Sequence, residues 1–493
     1  MSEPVPRRSR DDLPFRRIAV VLSGGGALGA YEVGVLRVLE TAGIRPSILA
    51  GVSVGGINAI LWLAHGFHAA PLERVWSRLR ASSVGMHWIT LMVRALGAGL
   101  MAIAAIQLVL TLAGSPELSP RRWFVPAVSS YDGVVGALLD TLAWLLVGVL
   151  GVLVARASRT AEETLSRLSP PRDPHRLQRW FGWFLLLGLA AHLVTWAMGL
   201  AWPHRFSASV LLIGGLVWFA NRSGHTGDRM RRLILRILPE TGGRGLWGSD
   251  ARRRLIQRVV AEGDPEALLT PETHLIMSAC AIESGHMCYF INWPDPTPEF
   301  RERIRNVVGH VVPLGRPEEI IEAAVASSAV PGVFEPVRIG EREFVDGGVF
   351  SNQPLHAALA DGADAILVVL VSPSSGPPKP SRDPHLLELA GRLIEIANWR
   401  NLQTELRALP PGWRRQPATS TTADTSSATF YASLATTAKA PVRVCVVEPQ
   451  SALPGGLYEF SPEHLAELRR RGGRDAWHAL EAAGWLADPA PRA

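Results

Sequence analysis

The chain has 493 residues, 47% of them apolar and 19% charged, with a formal net charge of +6. That apolar content excludes a disordered chain, whose hallmark is low hydrophobicity. Three cysteines in so long a chain exclude a disulfide-stapled secreted module and fit a reducing compartment.

A basic balance points to nucleic acid or to a membrane surface. Of the 50 basic residues, however, only Lys379 and Lys439 are lysine, a skew that reads as genome composition, and no nucleic-acid partner is expected. Residues 1–15 read as a flexible N-terminus. Their arginines precede no apolar run, so they do not form a signal peptide, and this end is expected in the cytoplasm.

Residues 16–80 read as the start of an α/β domain. Arg17–Leu22 is a buried strand, and a glycine cluster leads into a helix over Leu28–Ala42 that Gly43 ends. Ser47–Ala50 is a second strand and Ser53–His65 a second helix. Strand, tight turn and helix, twice over, begin a parallel sheet with right-handed crossovers.

Residues 84–220 differ. Leu96–Ala113, Gly133–Ala155 (interrupted only by Asp140), Trp180–Trp202 and Phe206–Ala220 run for 18, 23, 23 and 15 residues without another formal charge. A bilayer span takes about 20 apolar residues, so four spans are expected, the last one short. Soluble buried helices are usually shorter and carry a polar stripe.

Eight of the sixteen Trp lie between Trp88 and Trp218, many near segment ends, as in interfacial belts. The loop from Arg156 to Arg179 holds six Arg and 221–260 holds ten, against two in 114–131 and one in 203–205. The positive-inside rule puts the arginine-rich loops in the cytoplasm. Four spans return the chain to its starting side. Gln107, Asp140 and His192 lie at comparable depth, about 9–15 Å from the outer helix ends, and can form one hydrogen-bonded cluster within the bundle, structural rather than transporting.

Residues 221–265 read as a basic helical connector in which Arg229–Leu238 suits either a lipid surface or packing on a core. Globular character resumes over 266–493. His274–Ala281, Ala365–Val371 and Val442–Val447 read as strands, and Pro384–Leu406 and Pro462–Ala483 as helices. The Ser/Thr/Ala-rich stretch 416–440 reads as a flexible loop.

Three motifs carry chemistry. Ser23-Gly24-Gly25-Gly26-Ala27-Leu28-Gly29 also satisfies G-x-G-x-x-G, but a dinucleotide site needs a carboxylate at the end of the second strand. Here that position reads Ile48-Leu49-Ala50-Gly51, so the bare N–H groups suit an oxyanion instead. Gly51-Val52-Ser53-Val54-Gly55 is G-x-S-x-G between a strand and a helix, the turn that exposes a serine hydroxyl. Val345-Asp346-Gly347-Gly348 offers a base, or merely a turn after a short strand. Cys280 and Cys288 are spaced too loosely, with no second pair, for a metal site.

Together GGGALG, GVSVGG and VDGG, in that order, with Ala326–Phe334 and Ala279–Gly285, resemble the patatin-like phospholipase family over about 16–80 and 270–372. The resemblance implies a three-layer α/β sheet with flanking helices, here interrupted by an inserted helical membrane bundle. It implies Ser53 as nucleophile, Asp346 as its partner in a Ser–Asp dyad, and the N–H groups of Gly24, Gly25 and Gly26 as the oxyanion hole. No metal or organic cofactor is implied. The family often has Arg or Lys where this chain has Leu28, so a headgroup contact is not carried over from that position.

The expected protein is a serine lipid acyl hydrolase anchored in the cytoplasmic membrane. Its catalytic part faces the cytoplasm, and phospholipid or lysophospholipid is its substrate. A membrane scaffold with relic catalytic pieces and a soluble esterase with a helical lid are the alternatives.

Overall fold

The structure, a computed structural model, describes residues 15–112, 133–167, 245–307, 309–376, 396–397, 399–403 and 442–486. The chain divides into two compact units, Met1–Gly85 with Arg244–Ala493, and Met86–Gly243.

The first unit is built on a mixed sheet. Its strands are β1 (Ile18–Leu22), β2 (Ile48–Val52), β4 (His274–Ala281), β5 (Met287–Ile291), β6 (Gly309–Pro313), β8 (Val337–Ile339), β9 (Arg342–Asp346), β10 (Ala365–Val369) and β11 (Arg443–Val447). The order is β11-β10-β1-β2-β4-β5-β6, with β9 paired to β4 and β8 to β9. Strands β11, β10, β1, β2 and β4 run parallel, while β5 and β9 each run antiparallel to β4. A separate ribbon pairs β3 (Gly245–Trp247) with β7 (Gly332–Phe334).

The central strands are near-continuous apolar runs because both faces are covered, as parallel sheets require. Val20, Leu22 and Leu49 enter one core, while Ala19, Val21, Ile48 and Ala50 enter the other. The first core holds α1 (Gly29–Thr41), α2 (Val54–Ala64) and α3 (Ala69–Arg78). Among the helices of the second unit described below are α4 (Trp88–Leu112) and α5 (Gly133–Arg167). The first core also takes α6 (Asp250–Ala261), α8 (Pro317–Ser327) and α10 (Pro462–Ala482). The second core is closed by α7 (Pro298–Asn306) and α9 (Leu355–Ala360). The result is the expected three-layer arrangement, a mixed sheet with helices on both faces.

Strand and helix bounds follow the apolar pattern to within a residue or two. Gly43 stands just beyond α1 with φ +71°, a left-handed stop. The first part of the expected connector, to 244, lies outside the described residues. From Gly245 the same stretch is part of the α/β unit: β3 pairs with β7, and α6 buries Ile256, Val259 and Val260. Cys280, Cys288 and Cys445 are free and buried.

In the second unit the expected apolar segments Leu96–Ala113, as far as Leu112, and Gly133–Ala155 fall on α4 and α5. Gly97 packs on Gly151 and Ala155, while Ala104, later in α4, meets Gly148, earlier in α5, so the two helices run antiparallel. A Cβ on Gly97 would stand 2.6 Å from the Gly151 carbonyl oxygen, so the backbones touch, as at small-residue crossings of membrane helices.

Leu142, Leu145, Leu146, Leu150 and Leu153 are exposed along α5, whereas Asp140 is buried. Among the described residues one stretch, Leu138–Ala155, is long and apolar enough to cross a membrane. The expected segments Trp180–Trp202 and Phe206–Ala220, His192 and the Gln107 side chain lie outside the described residues. So do helix Arg229–Leu238, most of Pro384–Leu406 and the stretch 416–440.

Candidate active site

The three motifs converge at the carboxyl ends of β1, β2 and β9, where open α/β sheets hold their ligands. After β2 the chain turns sharply into α2, and Ser53 sits at the turn with φ 54° and ψ −127°. Ser53 and Phe67 are the non-glycine residues with positive φ among those described, and such backbone is strained for an L-residue.

The flanking glycines make the turn possible. A Cβ on Gly51 would stand 2.6 Å from the Gly55 oxygen, and one on Gly55 2.6 Å from the oxygens of Leu22 and Ser23. Two backbones therefore lie in contact around the serine, which only glycine permits.

The Ser53 hydroxyl donates to Asp346 Oδ2 at 2.5 Å, across 293 residues of sequence. Strand β4 acts as the common ruler: its Ser278 is in register with Val52, and its Ala279 with Asp346. The second carboxylate oxygen, Asp346 Oδ1, accepts from the Gly348 N–H at 2.8 Å, and the Asp346 N–H donates to the Ala329 carbonyl at 2.9 Å.

Ser53 and Asp346 are 6% and 4% exposed. Burial pushes the Asp346 carboxyl up to about 6, against the Ser53 hydroxyl, the Gly348 N–H and the Arg252 charge, all of which favour the carboxylate. A base with that value is ionised at neutral pH and still close enough to it to take a proton.

The glycine loop follows β1. The Ser23 hydroxyl donates to the Val369 carbonyl at 2.6 Å, tying the loop to β10. The Gly24 N–H donates to the Asn352 carbonyl at 3.3 Å, and Asn352 Nδ2 donates back to the Gly24 carbonyl at 2.9 Å. The Ala27 N–H donates to the Leu457 carbonyl at 2.8 Å. The N–H groups of Gly25 and Gly26 take no partner among the described residues. Of the three expected oxyanion donors, two therefore have no partner among the described residues and one is turned to Asn352.

A family model described as patatin-like phospholipase matches residues 20–359, most of the chain. The chain belongs to the patatin-like phospholipase family. Among its relatives, "Lysophospholipase nte1" of Aspergillus terreus is 47% identical over 47 residues, 10% of this chain and 3% of that protein. "Neuropathy target esterase sws" of Drosophila melanogaster is 44% identical over 45 residues, 9% of this chain and 3% of that protein. The match thus spans a small part of these relatives' length. Among solved structures, VipD from Legionella pneumophila is 14% identical with a TM-score of 0.33, covering 95% of this chain and 67% of that one.

The site also holds groups that motif reading does not single out. Asn352 clips the glycine loop to the segment that follows Asp346, and Ser327 Oγ accepts the Ser53 N–H at 2.9 Å. Behind the loop, Glu32 is fully buried on α1. Asn58 Nδ2 donates to Glu32 Oε2 at 2.8 Å and to the Gly29 carbonyl at 3.0 Å, and Trp76 Nε1 donates to Asn58 Oδ1 at 3.0 Å. Burial pushes the Glu32 carboxyl up to about 8, so it is protonated at neutral pH. Its signal in the sequence is a lone acid inside an apolar helix, Gly29-Ala-Tyr-Glu-Val. Around the site Leu28 is half-buried, and Val349, Phe350 and Leu457 are exposed.

Proposed function

We propose that the protein is a serine acyl hydrolase of lipids, cleaving phospholipid or lysophospholipid esters through an acyl-Ser53 intermediate. The observation that carries this is the buried 2.5 Å hydrogen bond from Ser53, held on a strained elbow, to a carboxylate of raised pKa.

Asp346 takes the hydroxyl proton as Ser53 Oγ attacks the ester carbonyl. The N–H groups of Gly25 and Gly26 receive the developing oxyanion, a contact worth roughly 3 kcal/mol per donor. Collapse breaks the ester bond, and protonated Asp346 returns its proton to the departing alcohol oxygen. A water molecule then gives a proton to Asp346 and attacks the acyl carbon. The fatty acid leaves, and Ser53 Oγ recovers its proton. The apolar residues Leu28, Val349, Phe350 and Leu457 suit an acyl chain at the entrance.

The lipid substrate is supported by family membership and by the lysophospholipase and esterase names of the relatives. A membrane anchor in 84–220 is supported by the exposed leucines of α5, the span-length stretch Leu138–Ala155 and the arginine bias of the loops. We read four spans, which keep Ser53 and Asp346 on one side, in the cytoplasm.

The test is fatty-acid release from phosphatidylcholine and lysophosphatidylcholine vesicles by the purified full chain. Release by the wild type and none by Ser53→Ala is expected. Equal release by the two refutes the reading.

A further inference from the structure

Ser327 is fully buried at the last position of α8. A serine in a helix ordinarily spends its hydroxyl on a carbonyl one turn back. Its neighbour Ser328 does so, donating to the Ala324 carbonyl at 2.9 Å. Ser327 does not. Its hydroxyl donates outward to the Ser278 carbonyl at 2.7 Å, and its oxygen accepts the Ser53 N–H at 2.9 Å. Ser278 lies in β4 beside Ala279, the residue in register with Asp346. The Ser327 hydroxyl therefore joins the backbone of Ser53 to the strand that places Asp346.

We propose that Ser327 is a positioning residue, whose hydroxyl clamps the left-handed backbone of Ser53 so that Oγ stays in line with Asp346. This rests on the acyl-hydrolase reading of the same site. The Ser53 N–H stands at a turn where no strand ladder can receive it. Without Ser327 it is a buried donor lacking an acceptor, which is expensive, and the peptide plane that carries the nucleophile is free to rotate away from its φ of 54°. A small rotation there moves Oγ, and misplacements of about 1 Å cost on the order of a hundredfold in rate. Ser327 does not touch the carboxylate, so it acts on the geometry of the nucleophile and not on the basicity of Asp346.

The test uses the full chain, a rhodamine fluorophosphonate and p-nitrophenyl butyrate, with the folded fraction of each variant measured by circular dichroism. Ser327→Ala removes the hydroxyl. Ser327→Cys keeps nearly the same volume with a far weaker donor and acceptor, and serves if the alanine variant folds poorly. Per folded molecule, both variants are expected to label and to turn over about 10- to 100-fold more slowly. KM should be unchanged within about twofold, and the pH midpoint should stay at about 6.

A purely structural role lowers the melting temperature and leaves the labelling rate of the folded molecules untouched; that outcome overturns the proposal. So does a shifted pH midpoint, which would place Ser327 in the proton path. A wild type that labels while Ser327→Cys matches it refutes the clamp alone. A folded wild type that never labels refutes the hydrolase reading and the clamp with it.

Discussion

The α/β unit and the helical unit solve opposite problems with similar apolar residues. In the first, Val20, Leu22, Leu49 and Leu367 are completely buried, and alternate side chains enter cores on both faces of the sheet. In the second, Leu138, Leu145, Leu146 and Val149 remain at least half exposed along α5, while the polar Asp140 and Arg94 are buried. An apolar run enclosed on all sides has found its solvent in the protein. One turned outward, with its polar groups inside, fits a hydrocarbon surrounding. The difference separates the unit that carries the chemistry from the unit that we assign to holding it at the membrane.

The comparison is tested most severely at Ser53 and Asp346. Ser53→Ala, Asp346→Asn and the double variant should each lose roughly 10⁴-fold or more in kcat, with no added loss in the double, because residues acting as one unit are not additive. A folded Asp346→Asn enzyme with near-normal turnover in p-nitrophenyl butyrate assays breaks the dyad.

A smaller loss is expected at the glycine loop. Gly25→Ala puts a Cβ 2.7 Å from Val371 Cγ2 and disturbs one of the two remaining donors. The expected fall in kcat is about 100-fold, the order found for one oxyanion donor, with an unchanged folded fraction.

The pH dependence sharpens the picture within the same unit. The general base must be ionised, so kcat/KM should fall tenfold per pH unit below about 6 and level off above it. Stability depends on a further group as well. Glu32 holds its proton more tightly folded, at about 8, than unfolded, at about 4.3. Its contribution is fully present below the unfolded value and is lost as the pH rises through the folded one. The wild-type unfolding free energy should therefore lose the Glu32 contribution between about pH 4.5 and 8, an amount of order 5 kcal/mol at most. Glu32→Gln should flatten the decline, since an amide has no proton to lose. Equal slopes in both proteins contradict the assignment.

The least effect on chemistry is expected from the helical unit. Gly97→Val forces the α4–α5 crossing apart but shares no partner with the dyad. It should lower thermal stability while leaving fluorophosphonate labelling of Ser53 within about twofold. Single cysteines at Ser119, Thr164 and Ser223 test the four-span arrangement with an impermeant thiol reagent on intact cells. Labelling at Ser119 alone is expected, and labelling at Ser223 would place Asp346 across the membrane from Ser53.

Much of the site is legible in the sequence because its parts are local. Each motif is a short run in which glycine is forced by a contact, as at Gly51 and Gly55, or by an elbow, as around Ser53. The strands β1, β2, β4 and β10 show as apolar runs because both of their faces are covered. What is not legible is a long-range contact that no motif marks. Ser327 reaches Ser53 over 274 residues and Asn352 reaches Gly24 over 328. No periodicity marks a serine at a helix end or an asparagine after a turn as a partner of either.

The strands β5 and β6 carry their own lesson. Met287–Ile291 (MCYFI) carries a single β-branched residue, and Gly309–Pro313 (GHVVP) buries only Gly309, so neither stands out as an apolar β-branched run. The helix α6 hides among arginines because its apolar face, Ile256, Val259 and Val260, is narrow. Glu32 reads as a misplaced charge until its burial and its Asn58 partner turn it into a neutral acid.

The central claim is that Ser53 is the nucleophile and Asp346 activates it. Peptide mass spectrometry after fluorophosphonate treatment tests it most directly. The account predicts a single phosphonyl adduct on the peptide containing Ser53 in the wild type, and none in Ser53→Ala. In folded Asp346→Asn the adduct should form at least about 100-fold more slowly. An adduct on another serine, or equal labelling of wild type and Asp346→Asn, would contradict it.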